Sequence, residues 1–247
     1  LTPSPADSSP RVWPSDFEFD ARIPIAPQPS AWEWPVGSRG DLVRRALLRR
    51  FHDATVLDGV PAEALPFTSE RIADMGQTQI GAPPVDHPEC QQWTQGIWST
   101  VTSLKKEPDG VLGGAFLVDS TKGAFGGPAL SESIVYAPGP ALDRLEAGPP
   151  DSCATVRLTD GQKRWTHRYE QVALPSPAGA KAYRLWDPSG ANAATWAALI
   201  RHGDYLIEVR LIVLPFSADV PDDIAGDRAM LADLTSQAYA RAASILK

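Results

Sequence analysis

Three observations on this sequence of 247 residues predict an α+β domain with a mainly antiparallel sheet, helices near the N-terminus and a long C-terminal helix. Strand-like segments crowd the middle of the chain, Ala194 to Leu214 reads as two apolar strands around a tight turn, and helical periodicities lie towards both ends. An apolar fraction of 43% suffices for a sizeable core.

Eight of the first 35 residues are proline, at 3, 5, 10, 14, 24, 27, 29 and 35. Proline fixes φ and removes an amide donor, so this stretch favours extended, polyproline-like backbone. Residues 1–35 are expected to be a Pro-rich tether, and 36–247 a single α+β domain. Trp13, Phe17, Phe19, Ile23, Ile25, Trp32 and Trp34 are too apolar for a purely solvated linker. Much of 11–35 is therefore expected to lie on the domain, with 1–10 mobile.

From Asp41, DLVRRALLRRFHDATV places Leu42, Val43, Ala46, Leu47 and Phe51 on one side at helical spacing, opposite Arg44, Arg45, Arg49 and Arg50. The spacing predicts an amphipathic helix capped by Asp41, its basic side a solvated face rather than a contact for lipid or a charged ligand. Arg39-Gly40-Asp41 reads as turn plus helix cap, not as an adhesion motif. PFTSERIADMG, 66–76, predicts a second short helix with Thr68 as cap and Gly76 as stop. Proline-rich turns then approach Cys90, and Trp93, Ile97 and Trp98 suggest a helical apolar face over 91–101.

A strand is expected from Leu112, a short helix over 140–148, and strands over 153–159, 164–174 and 181–186, the last stopped by Asp187-Pro188. The hairpin follows, around His202-Gly203-Asp204. The closing helix is expected from about Pro221 to Leu246: Asp222 and Asp223 suit its first turn, and Leu231, Leu234, Ala238, Ala242 and Ile245 recur at steps of three or four.

With 23 basic against 30 acidic side chains the formal charge is −7, which argues against a nucleic-acid partner, because phosphate binding needs clustered positive charge. No membrane span is expected, since the most apolar run, Tyr205 to Phe216, is broken by Glu208, Arg210 and Pro215. The opening Leu1-Thr-Pro fits a mature product whose export signal, with room for a lipid anchor, lies upstream of residue 1. Cys90 and Cys153 stand 63 positions apart, without zinc spacing, His87 being the lone histidine nearby. A single disulfide, rather than two buried thiols, is the expected state in an exported chain.

This order of an early basic helix, Pro-rich turns into His87-Pro88-Glu89-Cys90, a strand, a short helix, Cys153, two middle strands, the Arg201-His-Gly-Asp-Tyr205 hairpin and a terminal Ala-rich helix resembles the exported sensor-like domains of actinobacteria. That family includes cell-envelope lipoproteins and the extracellular domain of the mycobacterial kinase PknH. Cys90, Cys153 and the strand at 201–214 are its landmarks. Members usually carry two disulfides, whereas this chain has one possible pair. The resemblance implies an α+β sensor-like domain with a groove for an extracellular ligand and no agreed catalytic set. It also implies a location outside the cell, on the outer face of the cytoplasmic membrane if an anchor is present.

Phosphate loops, dinucleotide fingerprints, nucleophile elbows and zinc helices are absent as motifs. His167, Asp187 and Ser189 can be combined on paper into a catalytic set, but a chain this long offers many such triples. No catalytic residue, cofactor or metal site is assigned. Eight tryptophans exceed expectation. Trp196, in an apolar strand, reads as core. On the 164–174 strand, Trp165, His167 and Tyr169 share one face and Arg168 takes the other, in line with Arg184 and Trp186 of the next strand. These six residues are the candidate ligand-binding set, an aromatic and cationic groove, with core packing as the alternative for Trp165 and Tyr169. The function expected is a non-catalytic exported ligand-binding or sensor-like module, its partner a small molecule, a lipid or an envelope component. The competing readings are an extracellular hydrolase-type enzyme and an envelope protein-interaction module.

Overall fold

Side chains that alternate in hydropathy along a strand sort themselves onto two sheet faces, and the residues that do so here define the architecture. A computed structural model describes residues 32–57, 62–69, 85–90, 93, 109–119, 128–160, 163–188, 194–213 and 223–247. The chain divides into Leu1–Ser30 and Ala31–Lys247, and every described residue belongs to the second unit. The described strands are β1 (Arg50–Phe51), β2 (Ala54–Val56), β3 (Glu63–Pro66), β4 (Val111–Val118), β5 (Ala129–Tyr136), β6 (Thr155–Asp160), β7 (Lys163–Val172), β8 (Lys181–Trp186), β9 (Ala194–His202) and β10 (Tyr205–Val213). The described α-helices are α1 (Arg39–Ala46), α2 (Gly139–Glu146) and α3 (Ile224–Ile245).

The strands form one sheet in the order β1-β2-β4-β5-β10-β9-β8-β7-β6, with β3 also paired to β4, and all pairings are antiparallel. The fold class is thus the α+β one expected, with α1 near the N-terminus and the long α3 at the other end. The hairpin runs in register from His202 opposite Tyr205 to Ala194 opposite Val213, and Gly203 turns it with a φ of +58° that side-chain-bearing residues rarely adopt.

Tyr205, Ile207, Val209 and Leu211 point to the face covered by α1 and α3, where Trp196, Ile200, Leu231, Leu234 and Ala238 complete the core. Gly113 lets α1 approach β4: a Cβ there would lie 2.5 Å from the Val43 side chain. Leu112, Val135, Leu199 and Leu206 point the other way, against Leu142 and Leu145 of α2, Phe67, Trp93 and the Cys90–Cys153 disulfide.

Several expectations need correction. The helix begun near Asp41 does not run to Val56: it spans Arg39–Ala46, and Arg50–Val56 form a hairpin turning at His52-Asp53, where His52 has a φ of +50°. Its cap is Ser38, not Asp41. The reason is tertiary. Arg241 of α3 donates to the carbonyls of Leu47 (2.8 Å) and Arg45 (2.7 Å), and the Leu48 amide donates to Glu132 (2.5 Å), so the last turn is satisfied from outside the helix. Asp41 lies inside the first turn, only 5% exposed, accepting from the Gly37 amide and from Arg44, and the Gly37 bond leads in holding its carboxyl below the usual range. A buried, internally bonded aspartate removes the Arg39-Gly40-Asp41 tripeptide from consideration as an exposed adhesion loop.

Of the helix expected over 66–76 with Thr68 as cap, only 66–69 are described, Pro66 closing β3 and Phe67-Thr68 forming a turn; 70–76 lie outside the described residues. Of the 91–101 face only Trp93 is described, and residues 1–31 of the expected tether lie outside too. Its last residues pack: the Trp34 indole donates to the Ala64 carbonyl (2.8 Å), and the Trp32 amide to Glu63 (3.0 Å). At the C-terminal helix Asp223 is the cap, accepting from the Gly226 amide at 2.9 Å.

Glu132 sits on the helix-covered face, 1% exposed. One carboxylate oxygen takes the Leu48 amide and the other has no hydrogen-bond partner among the described residues. Burial pushes its pKa up to about 7, against the downward pull of the Leu48 bond, Arg241 and Arg49.

At the far end of the sheet, β6 carries a covering segment on its outer edge. Val85 bridges Leu158, the Asp86 amide donates to the Arg157 carbonyl (2.9 Å), and the Arg157 amide donates back to the Asp86 carboxylate (2.9 Å). Pro88–Cys90 and Asp151–Cys153 are single 3₁₀ turns, and the disulfide joins them with Cα atoms 5.5 Å apart.

Candidate functional site

Antiparallel pairing of β7 with β8 places Arg168 opposite Trp186, Tyr169 opposite Leu185, Glu170 opposite Arg184 and Gln171 opposite Tyr183. Residues opposite one another share a face, so the six candidates divide between two faces and no single groove holds them all. Arg168, Arg184 and Trp186 are on the side covered by the helices. There Arg184 is 6% exposed, its guanidinium carbon 4.8 Å from the Trp186 ring centre and 5.3 Å from that of Trp196. Arg184 is a core cation held between indoles, while Arg168 is exposed. Trp196 is fully buried, as expected.

His167 and Tyr169 face the disulfide side. Trp165 takes its place in β7 opposite Leu158, and its side chain is outside those described. The Tyr169 hydroxyl is buried and has no hydrogen-bond partner among the described residues, and desolvation raises its pKa well above the usual phenol value. His167 is half-buried, its Nδ1 likewise unpartnered; desolvation lowers its pKa, with Asp187 pulling weakly the other way. Asp187 is thus an electrostatic neighbour of His167, and Ser189 lies outside the described residues.

The charges that act on Tyr169 come from the central strand. Glu208 and Arg210 of β10 are 3% and 8% exposed and point to this same face, one carboxylate oxygen accepting from Arg210 Nε at 3.1 Å and lying 3.1 Å from an Nη nitrogen of the same guanidinium. Beside them lie Ser133 and Ser131 of β5 on one side, Leu199 and Ala197 of β9 on the other. Arg210 also donates to the Trp93 carbonyl at 3.4 Å, and the Trp93 ring, 6.4 Å from Tyr183, carries a buried indole N–H without a partner. One ion pair and three polar atoms without hydrogen-bond partners among the described residues therefore lie on one side of the sheet, next to Ser131, Ser133, Ala197 and Leu199. Chemically it offers a hydroxyl, an indole donor and a guanidinium in dry surroundings, where each hydrogen bond to an incoming group counts for more than in water.

Of the residues on this face, the sequence reading singled out His167 and Tyr169 as ligand-binding candidates and did not name Glu208, Arg210 or Trp93 among them. The signal was present: two opposite charges at a spacing of two inside an otherwise apolar strand.

The fold and this face define an α+β domain with a polar island in the middle of a helix-backed antiparallel sheet, closed by a disulfide. Known protein families and curated proteins give no match to the chain. Among solved structures it is similar to the extracellular domain of PknH from Mycobacterium tuberculosis, at 12% identity over 67% of this chain and 90% of that one, with a TM-score of 0.40. It is also similar to an uncharacterized protein from Mycobacterium smegmatis, the Rv0999 ortholog, at 12% identity over 81% of this chain and 97% of that one, with a TM-score of 0.42. Among the described residues no helix is long and apolar enough to cross a membrane.

Proposed function

We propose that this chain is an exported, non-catalytic ligand-binding or sensor-like module of the cell envelope, and that its ligand meets the sheet face around Glu208, Arg210 and Tyr169. The disulfide supports the compartment, because such bridges persist where the surroundings are oxidising. The observation that carries the ligand-binding reading is the Glu208–Arg210 pair in the central strand. A buried ion pair is costly to desolvate, and well-packed apolar residues in its place are usually neutral or stabilising, so stability alone does not account for it. Placed beside a buried hydroxyl and an indole N–H that have no partners, it gives a polar ligand directional contacts inside an apolar wall. The ligand class is a small molecule, a lipid or an envelope component. Trp165, on the same strand as His167 and Tyr169, belongs to the proposed wall, whereas Arg168, Arg184 and Trp186 support the sheet from behind.

The test is native mass spectrometry of the protein purified from its own envelope, compared with Tyr169→Phe, which removes one unpartnered oxygen and leaves the ring. The wild-type chain should retain an added mass that the variant loses. Identical spectra for the two, with or without an added mass, overturn the reading.

A further inference from the structure

A cavity remote in register from the Glu208–Arg210 island opens at the turn of the central hairpin. Its floor is a row of rings on three adjacent strands: Tyr136 at the end of β5 is paired with Tyr205, and Tyr205 with His202, so all three face the helices side by side. Tyr136 and Tyr205 lie with ring centres 5.2 Å apart. His202 is fixed by two contacts with the C-terminal helical segment, an Nε2 bond to the Leu246 carbonyl at 2.8 Å and an edge-to-face contact with Tyr239. The cavity above this row measures about 290 Å³ and is rimmed by Arg39, Lys247 and Asp204.

Arg39 gives the cavity its chemistry. Its guanidinium carbon stands 3.6 Å over the centre of the Tyr136 ring, which only a face-on arrangement permits. Stacking uses the π face of a guanidinium and leaves its N–H edge for a planar acceptor. Arg44, Arg45, Arg201 and Arg210 all have carboxylate partners within salt-bridge distance, and among the described residues Arg39 has none. The Arg39 and Lys247 cations share this rim with the Asp204 carboxylate.

We infer that this cavity is a binding site for a small planar organic anion, such as an aromatic carboxylate, whose acid group meets the Arg39 edge while its ring lies along the Tyr205 and His202 row. The inference is independent of the ligand proposed for the other face and does not fall with it.

Benzoate is the probe, titrated into the full isotope-labelled chain and followed by backbone amide shifts at His202, Gly203 and Asp204. Saturable shifts are expected there. Benzamide, of the same shape without charge, and cyclohexanecarboxylate, of the same charge without a planar ring, should each bind about tenfold more weakly or not at all. Arg39 is exposed, so Arg39→Gln should keep the wild-type melting temperature and lose about tenfold in benzoate affinity. The inference is overturned by an absence of saturable shifts at millimolar benzoate, by either analogue binding as well as benzoate, or by unchanged affinity in Arg39→Gln.

Discussion

Replacing Glu132 by glutamine should make the protein more stable at neutral pH and leave it little changed in acid. The carboxyl is raised from 4.5 to about 7 in the folded chain, chiefly by burial. At about 1.4 kcal/mol per pH unit, that displacement corresponds to roughly 3 kcal/mol of pH-dependent stability. Its sign follows from the direction. A carboxyl whose folded pKa is raised binds its proton more tightly when folded, so its stabilising contribution is complete below about pH 4.5 and is lost as the pH climbs through 7. Glutamine keeps an oxygen for the Leu48 amide and does not titrate; its buried amide adds an offset that does not vary with pH. The measurement is urea unfolding of wild type and Glu132→Gln side by side across that interval, read as the difference in unfolding free energy. The difference should shift in favour of the variant by about 3 kcal/mol from acid to neutral pH, with its midpoint between the two pKa values. A difference that stays flat within about 0.5 kcal/mol would refute the reasoning, because every other titrating group cancels in the comparison.

Thiol titration of denatured, never-reduced protein should find no free thiol, and replacing Cys90 and Cys153 by alanine together should cost about 4 kcal/mol in the loop-entropy account of a bridge spanning 63 positions; two reactive thiols in fresh material contradict the bridge. Trp196→Ala should cost about 3–5 kcal/mol in chemical unfolding, since the indole is fully buried. Gly113→Val forces α1 away from β4, because even its Cβ would lie 2.5 Å from Val43, and should lower stability by about 1–3 kcal/mol or more. Asp223→Ala removes the acceptor for the Gly226 amide and should cost about 1 kcal/mol, seen as a small drop in melting temperature without change in fold.

The strands with the strongest signals were legible because their local chemistry agreed with their setting. Gly203 fits the turn it occupies, Asp187-Pro188 ends β8 where expected, and the α3 periodicity matches the residues it buries. The α1 region misled because Phe51 lies near a helical continuation of the apolar face although it belongs to a strand, and the helix is ended by Arg241 and Glu132, groups far away in sequence. β5 went unread since Ser131, Glu132 and Ser133 interrupt its apolar pattern, and two of those three are buried. At the candidate site, alternation along β7 was readable, but the side to which each charge of β10 is turned depends on pairing across three strands. A one-residue change of register would have exchanged the faces.

The bridge between Cys90 and Cys153 also governs how this sheet meets other chains. Strand β6 is the last in the order, and its outward amides and carbonyls would otherwise be a template for an intruding strand. The Val85-Asp86 strip occupies that ladder with one bridge and two reciprocal hydrogen bonds, and the covalent link anchors the strip a few residues further on. Reduction should therefore loosen the cover on this border, with concentration-dependent self-association of chains whose sheet is still intact as the effect to look for.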